Sequence, residues 1–470
     1  MGVAVLLGVA LLLLGAERRP WMFANPTTIA GMVTLEVVLA CLWKYDRIFF
    51  PATMLCFLAA DTGNPFAAES FTLRWVFLGT GALVGFVLWM KTNRHQHFGP
   101  FHLVSLFCIL AAFASASASG TPAVGALKAA SLFLLFLYAA TGGRVALAGR
   151  EKSFVFALVW ACEALVLAVC GMLLVGFNTF GNPNNLGAFI GVIAAPILLW
   201  GAVMAESRWQ RQRRYLALGL CGILLYVSVC RAAIMADAVV LVLFTMAVRR
   251  PRMLLRMVFA GALLLEIMAI ASPEHMGEFV NSLSGRFVFK TGHTHSGVFG
   301  SRQSPWDDTL AAMKRHPWFG TGFGTSDVGE LDPGLQHSSI YTLEGTNREH
   351  GSSYLALAEY MGMLGVLPFL LLLLLLLRAA GQIFGWMRRT GSAAHYGVPF
   401  AMVVVAGLIH AGFEDWLVAP GSYLCVFFWV CGCLLIDLAA DATRAHRLVA
   451  AHNFTPFPAP RELYRPVRSA

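Results

Sequence analysis

Apolar runs long enough to cross a bilayer recur along almost the whole chain, and no other feature limits its folding so strongly. One of these runs includes eight consecutive leucines, Leu370–Leu377. A bilayer core offers no partner to backbone N–H and C=O groups, so such runs must satisfy them internally as helices. Charged residues make up only 13% of the 470 positions, against about 25% in soluble domains. An all-α polytopic membrane protein follows. Spans are expected at 1–16, 27–43, 48–61, 71–90, 100–117, 122–141, 153–175, 184–204, 213–229, 232–248, 253–272, 353–378, 397–412 and 419–438, about 12–14 helices in all. The N-terminal MGVAVLLGVALLLLGA lacks the basic start of a secretory signal and reads as a first, short membrane helix.

The formal charge of +9 does not point to nucleic acid. Its arginines gather in short segments between apolar runs, the distribution expected of cytoplasmic loops. RWQRQRR (208–214), RRPRMLLR (249–256) and RAAGQIFGWMRR (378–389) are read as such loops. On that orientation the turn at Cys230–Arg231, EDWLVAPG (414–421) and the long segment 273–352 all face outward, while ERRPW (17–21) fits less well. The chain divides into N-terminal helices 1–272, an outward loop 273–352, C-terminal helices 353–438 and a cytoplasmic tail 439–470. Every cysteine lies in or beside an apolar run, with no disulfide framework or metal-ligand spacing.

A loop of that length is read as functional. Within it SPWDDTLAAMKRHPWFGTGFG predicts a helix capped by Ser304, with Pro305 in its first turn and Trp306, Leu310 and Met313 on one face. A proline and a glycine-rich turn then end it.

Several polar residues need a reason to sit where chain enters oil. His350 can accept a proton near neutral pH, or it can simply cap the helix that follows. Arg231, in SVCRAA, offers a planar cationic fork to phosphate oxygens, or snorkels to the headgroups. Arg302 and Lys128 are further phosphate candidates whose plainer readings are a solvated charge and a snorkelling amine. Glu359 follows His350 by nine residues, roughly 13 Å along a helix, and a carboxylate at that depth calls for a partner or a function. Glu163, Asp237 and Glu266 also lie within apolar runs, so pairing inside the bundle competes. Glu414 and Asp415 could hold a basic partner at an outward turn. Asn182 and Asn185, in FGNPNNLG (180–187), could bond sugar hydroxyls or merely shape a turn. Tyr354 and His337 complete the candidates.

Five of these stretches occur in an order that resembles the bacterial O-antigen ligase family, kin to O-antigen polymerases and to some protein O-glycosyltransferases. They are FGNPNNLG, SVCRAA, RQSPWDDTLAAMKRHPWFGTGFG, EHGSSYLALAEYMGMLG and EDWLVAPGSYLCVFFW, between about residues 180 and 435. The family's GxxG falls on Gly362–Gly365, and His350 stands one residue further from it than the family pattern has its histidine. The resemblance implies a GT-C-like membrane glycosyltransferase with a large periplasmic loop. It implies transfer of a glycan from undecaprenyl diphosphate to a sugar of lipid A–core at the periplasmic face of the inner membrane. On this reading His350 is the base, and Arg231 and Arg302, with Lys128, bind the diphosphate. Glu359, Tyr354, Asn182, Asn185 and Glu414 support them, and His337 is the second choice of base. No acidic metal cluster or nucleotide motif is seen in the loop, which favours inverting, metal-independent transfer with no cofactor. A polymerase would be expected to show two sizeable outward loops rather than one. A transporter would show internal repeats and helices broken at mid-membrane.

Overall fold

The structure, a computed structural model, describes residues 36–62, 67–91, 98–177, 179–256, 300–325 and 350–452, with isolated positions between 258 and 270. These residues form helices and turns, with no strand among them. In chain order the helices are α1 (Phe50–Ala60), α2 (Ala67–Lys91), α3 (Pro100–Ser117), α4 (Pro122–Leu147), α5 (Glu151–Leu174) and α6 (Pro183–Val203). They continue with α7 (Arg208–Ser228), α8 (Arg231–Ala247), α9 (Gly300–Arg315), α10 (Ser353–Thr390), α11 (Gly397–Ala411) and α12 (Tyr423–His452). Seven have the length and hydropathy to cross a membrane, and α11 is apolar but shorter. The expected spans at 1–16, 27–43 and 253–272 lie wholly or largely outside the described residues.

Local chemistry sets many of the helix starts. Proline opens α3, α4 and α6, where a missing N–H costs nothing. The Asn182 side chain accepts from Asn184 N (2.9 Å) to cap α6, and Ser207 Oγ accepts from Gln210 N (3.1 Å) to cap α7.

Several helices overrun their expected ends. The basic segment 208–214 is the start of α7, and 378–389 is the end of α10, so neither is a loop. Arginine and glutamine favour helix, and nothing breaks α10 between Arg378 and Gly391, which takes a left-handed φ of +64°. The tail behaves alike: α12 does not stop at Leu438 but runs to His452. In the loop, α9 begins by Gly300, so Ser304 and Pro305 lie inside it and Ser304 is not its cap. Its buried positions are Thr309 and Ala312, whereas Leu310 is exposed.

At the centre stands α6, almost wholly buried, with α5, α7, α8 and α11 packed around it. Of the acidic groups whose pairing the sequence left open, Glu163 meets Arg213, whereas Asp237 has no ion pair among the described residues. A bidentate fork likewise joins Arg144 to Asp437 (2.7 and 2.9 Å). The free-energy gain comes from the bundle's apolar packing, and the pairs spare it unpaired buried charge.

Candidate active site

The site begins with a glycine. At Gly362 the backbone adopts φ +56°, ψ −157°, which interrupts α10. A broken helix leaves carbonyls and amides without partners at a depth where water cannot supply them. Here the glycine-rich turn after α9 supplies them. Thr321 N donates to Glu359 O (2.8 Å) and Gly322 N to Tyr360 O (3.2 Å), while Met363 N and Leu364 N donate to Pro317 O (2.9 Å) and Trp318 O (3.1 Å). Two backbones approach this closely only without side chains. A Cβ on Gly362 would lie 2.6 Å from the Trp318 carbonyl, and one on Gly320, at φ +71°, would strike the Glu359 carbonyl. This joint fastens α9 and its turn to the helix that carries Glu359.

One hydroxyl holds the next piece. Ser353, in the first turn of α10, donates through Oγ to Glu414 O (2.6 Å) and accepts from Trp416 N (3.0 Å) and Leu417 N (3.0 Å). All of its hydrogen-bonding capacity is thus used on the EDWL turn after α11. The carboxylates of Glu414 and Asp415 are aimed by that turn.

His350 meets one of them. Its Nδ1 lies 2.7 Å from Asp415 Oδ2, its Nε2 3.3 Å from Glu359 Oε2, and its ring packs edge-on to Tyr360. The side chain is fully buried. Nine residues of helix would have separated His350 and Glu359 by roughly 13 Å. Instead Gly351, at φ +65°, folds the chain back so that they touch. Burial lowers the imidazole pKa, but the hydrogen bonds and negative charges of Asp415 and Glu359 outweigh it and raise the pKa from 6.5 to about 8. At neutral pH an imidazolium between two carboxylates leaves the cluster one net negative charge. His350 therefore does not present a free nitrogen to solvent, as its place at a helix start suggested.

Asp415 separates His350 from a cavity of about 230 Å³ lined also by Glu414, His410, Asn184, Asn185 and Asp61. Glu414 Oε1 accepts from Arg302 Nη2 (2.5 Å) and Asn184 Nδ2 (3.2 Å). Gly351 again matters, since a Cβ there would lie 2.9 Å from Arg302 Cδ. His410 Nδ1 accepts from Trp416 Nε1 (2.9 Å), and its Nε2 lies 3.8 Å from Cys230 Sγ. Arg231 follows Cys230 directly as the first residue of α8 and is half-buried.

The structure thus joins His350 to Asp415 and Glu359, and Arg302 to Glu414, while Arg231 is linked to this group through its neighbour Cys230, which lies near His410. Other expected residues are used elsewhere. Lys128 Nζ donates to Gly324 O, closing the glycine-rich turn. Asn182 caps α6 with its side chain. Asn185 lines the cavity, and its carbonyl accepts from Tyr423 OH (2.7 Å). Tyr354 OH donates to Leu408 O (2.6 Å) and borders an apolar groove between α10 and α11. His337 lies outside the described residues. The sequence points to Asp415 only as a possible holder of a basic partner and to Asn184 only as one of the asparagines of FGNPNNLG, and His410 and Asp61 are not among the expected residues. The paired acids of FEDW (413–416), which follow closely after His410, were the available signal.

A family model described as O-antigen ligase matches residues 216–370. This stretch holds Arg231, Arg302, His350, Glu359 and the Gly362 break, while Glu414 and Asp415 lie beyond it. No curated protein matches the chain.

Proposed function

Because the chain carries the O-antigen ligase domain over residues 216–370, we propose that it transfers a glycan from undecaprenyl diphosphate to a sugar hydroxyl of lipid A–core, at the periplasmic face of the inner membrane. The observation that carries this reading is that Asp415, paired with His350, and Glu414, paired with Arg302, line one cavity. Both substrates are lipids with sugars in water, so their reaction belongs at such a boundary. The apolar groove bordered by Ser353, Tyr354 and Leu417 opens next to the same turn and suits a lipid tail.

In the mechanism, the acceptor hydroxyl lies against Asp415, the member of the pair that lines the cavity. With two carboxylates around one imidazolium, the cluster takes the proton and becomes neutral. The deprotonating oxygen attacks the anomeric carbon, the bond to phosphate breaks, and the configuration inverts. The lipid diphosphate leaves with growing negative charge. Arg302 and Arg231 stabilise that charge more in the transition state than in the ground state. Arg302 is held ready by Glu414 and moves from carboxylate to phosphate as the donor binds.

The test is reconstitution. Purified protein is mixed with undecaprenyl-diphosphate glycan and lipid A–core, with chelator and without nucleotide. A glycan-shifted lipopolysaccharide band is expected. Elongated undecaprenyl-linked chains with no shifted band would instead make the enzyme a polymerase.

A further inference from the structure

At the other end of the bundle, five arginines line one cavity of about 790 Å³: Arg211 of α7, then Arg249, Arg250, Arg252 and Arg256 after α8. All five are exposed, and among the described residues none forms an ion pair. The nearby acids are engaged already, Glu206 with Lys152 (3.3 Å) and Glu163 with Arg213. A basic loop explains positive charge on this side, but it does not require the guanidinium groups to converge. Nor does it explain Arg249, which holds φ +57° at the C-terminal cap of α8, a position suited to glycine. Arg249 N and Arg250 N close that cap on Met246 O (3.1 Å) and Thr245 O (3.0 Å). A strained residue kept where glycine would relax is a pointer to use.

We propose that this cavity binds the phosphate groups of an anionic phospholipid from the leaflet on that side. Guanidinium forks match phosphate oxygens two at a time. Large apolar side chains stand exposed close by in sequence, Leu216 at 63%, Met246 at 65% and Leu255 at 66%, and offer acyl chains an apolar surface near the arginines. Those surroundings favour a lipid headgroup over a soluble phosphate. The inference does not depend on the glycan reaction.

The test uses full-length protein, delipidated in mild detergent and titrated with cardiolipin, phosphatidylcholine or inorganic pyrophosphate, with binding followed by native mass spectrometry. Cardiolipin should bind at least tenfold more tightly than phosphatidylcholine. Arg250→Gln/Arg252→Gln should weaken it at least tenfold, and Arg388→Gln/Arg389→Gln, the same charge change at the far end of α10, should not. Arg249→Gly relaxes the cap and removes a fork, so it should bind cardiolipin less well without lowering Tm. Equal losses in the two double variants would reduce the effect to diffuse charge and overturn the proposal. Displacement of cardiolipin by equimolar pyrophosphate would overturn the lipid assignment.

Discussion

Between Asp415 and His350 a 2.7 Å contact decides which group faces the acceptor. With the imidazole pKa raised to about 8, the pair holds its ion-pair form at neutral pH. Transfer should therefore not rise as pH passes upward through 8, and should fall above it as the imidazolium is lost. A pH–rate profile that climbs with a midpoint near 8 would make the neutral imidazole the base instead. Asp415→Asn should cost about 10²–10⁴ in kcat. Stability has its own signature. The folded pKa lies above the unfolded one, so the contribution of His350 is complete below pH 6.5 and disappears as pH rises through about 8. It amounts to about 2 kcal/mol. Thermal melts of wild type and His350→Gln should converge across that window. Sequence alone offered His350, Arg302 and Glu359 by residue type. It could not give the contact of His350 with Glu359, because nine residues of continuous helix would hold them apart while Gly351 turns the chain back.

At the level of elements, the break in α10 and the turn after α9 are halves of one joint. Gly362→Ala meets both an unsuitable φ and the Trp318 backbone, and should destabilise by at least about 2 kcal/mol. A Tm drop with proportionate loss of transfer is expected, since Arg302 rides on the same segment. Wild-type stability in Gly362→Ala would remove the joint from this account. Ser353→Ala deletes three hydrogen bonds and frees the EDWL turn, and should cost about 1–3 kcal/mol. The glycines and the loop helix were legible in sequence as turn and helix signals. What they bind to was not, because main-chain pairing between distant segments leaves no mark in side-chain periodicity.

For the molecule as a whole, hydropathy located the spans well where proline or glycine marks their ends. The expected 100–117 coincides with α3. It failed where charged helix formers carry a helix past the bilayer, as in α7, α10 and α12. The alternating helices put Asp308 of α9 and Arg256 at opposite ends, which yields a topological prediction. A membrane-impermeant maleimide should label Asp308→Cys in cells with a permeabilised outer membrane, and Arg256→Cys only after lysis. Labelling of both from one side would reverse or abolish the orientation on which periplasmic transfer depends.

The joint between α9's turn and α10 has one more consequence. At Pro317 and Trp318 its bonds run through backbone carbonyls, so the Trp318 ring is not needed for fastening. Trp318 and Phe319 are exposed at 70% and 50% and are well suited to the headgroup layer. How deep the protein rides in its membrane can therefore be adjusted at these two rings while the chemistry a few residues away stays in register.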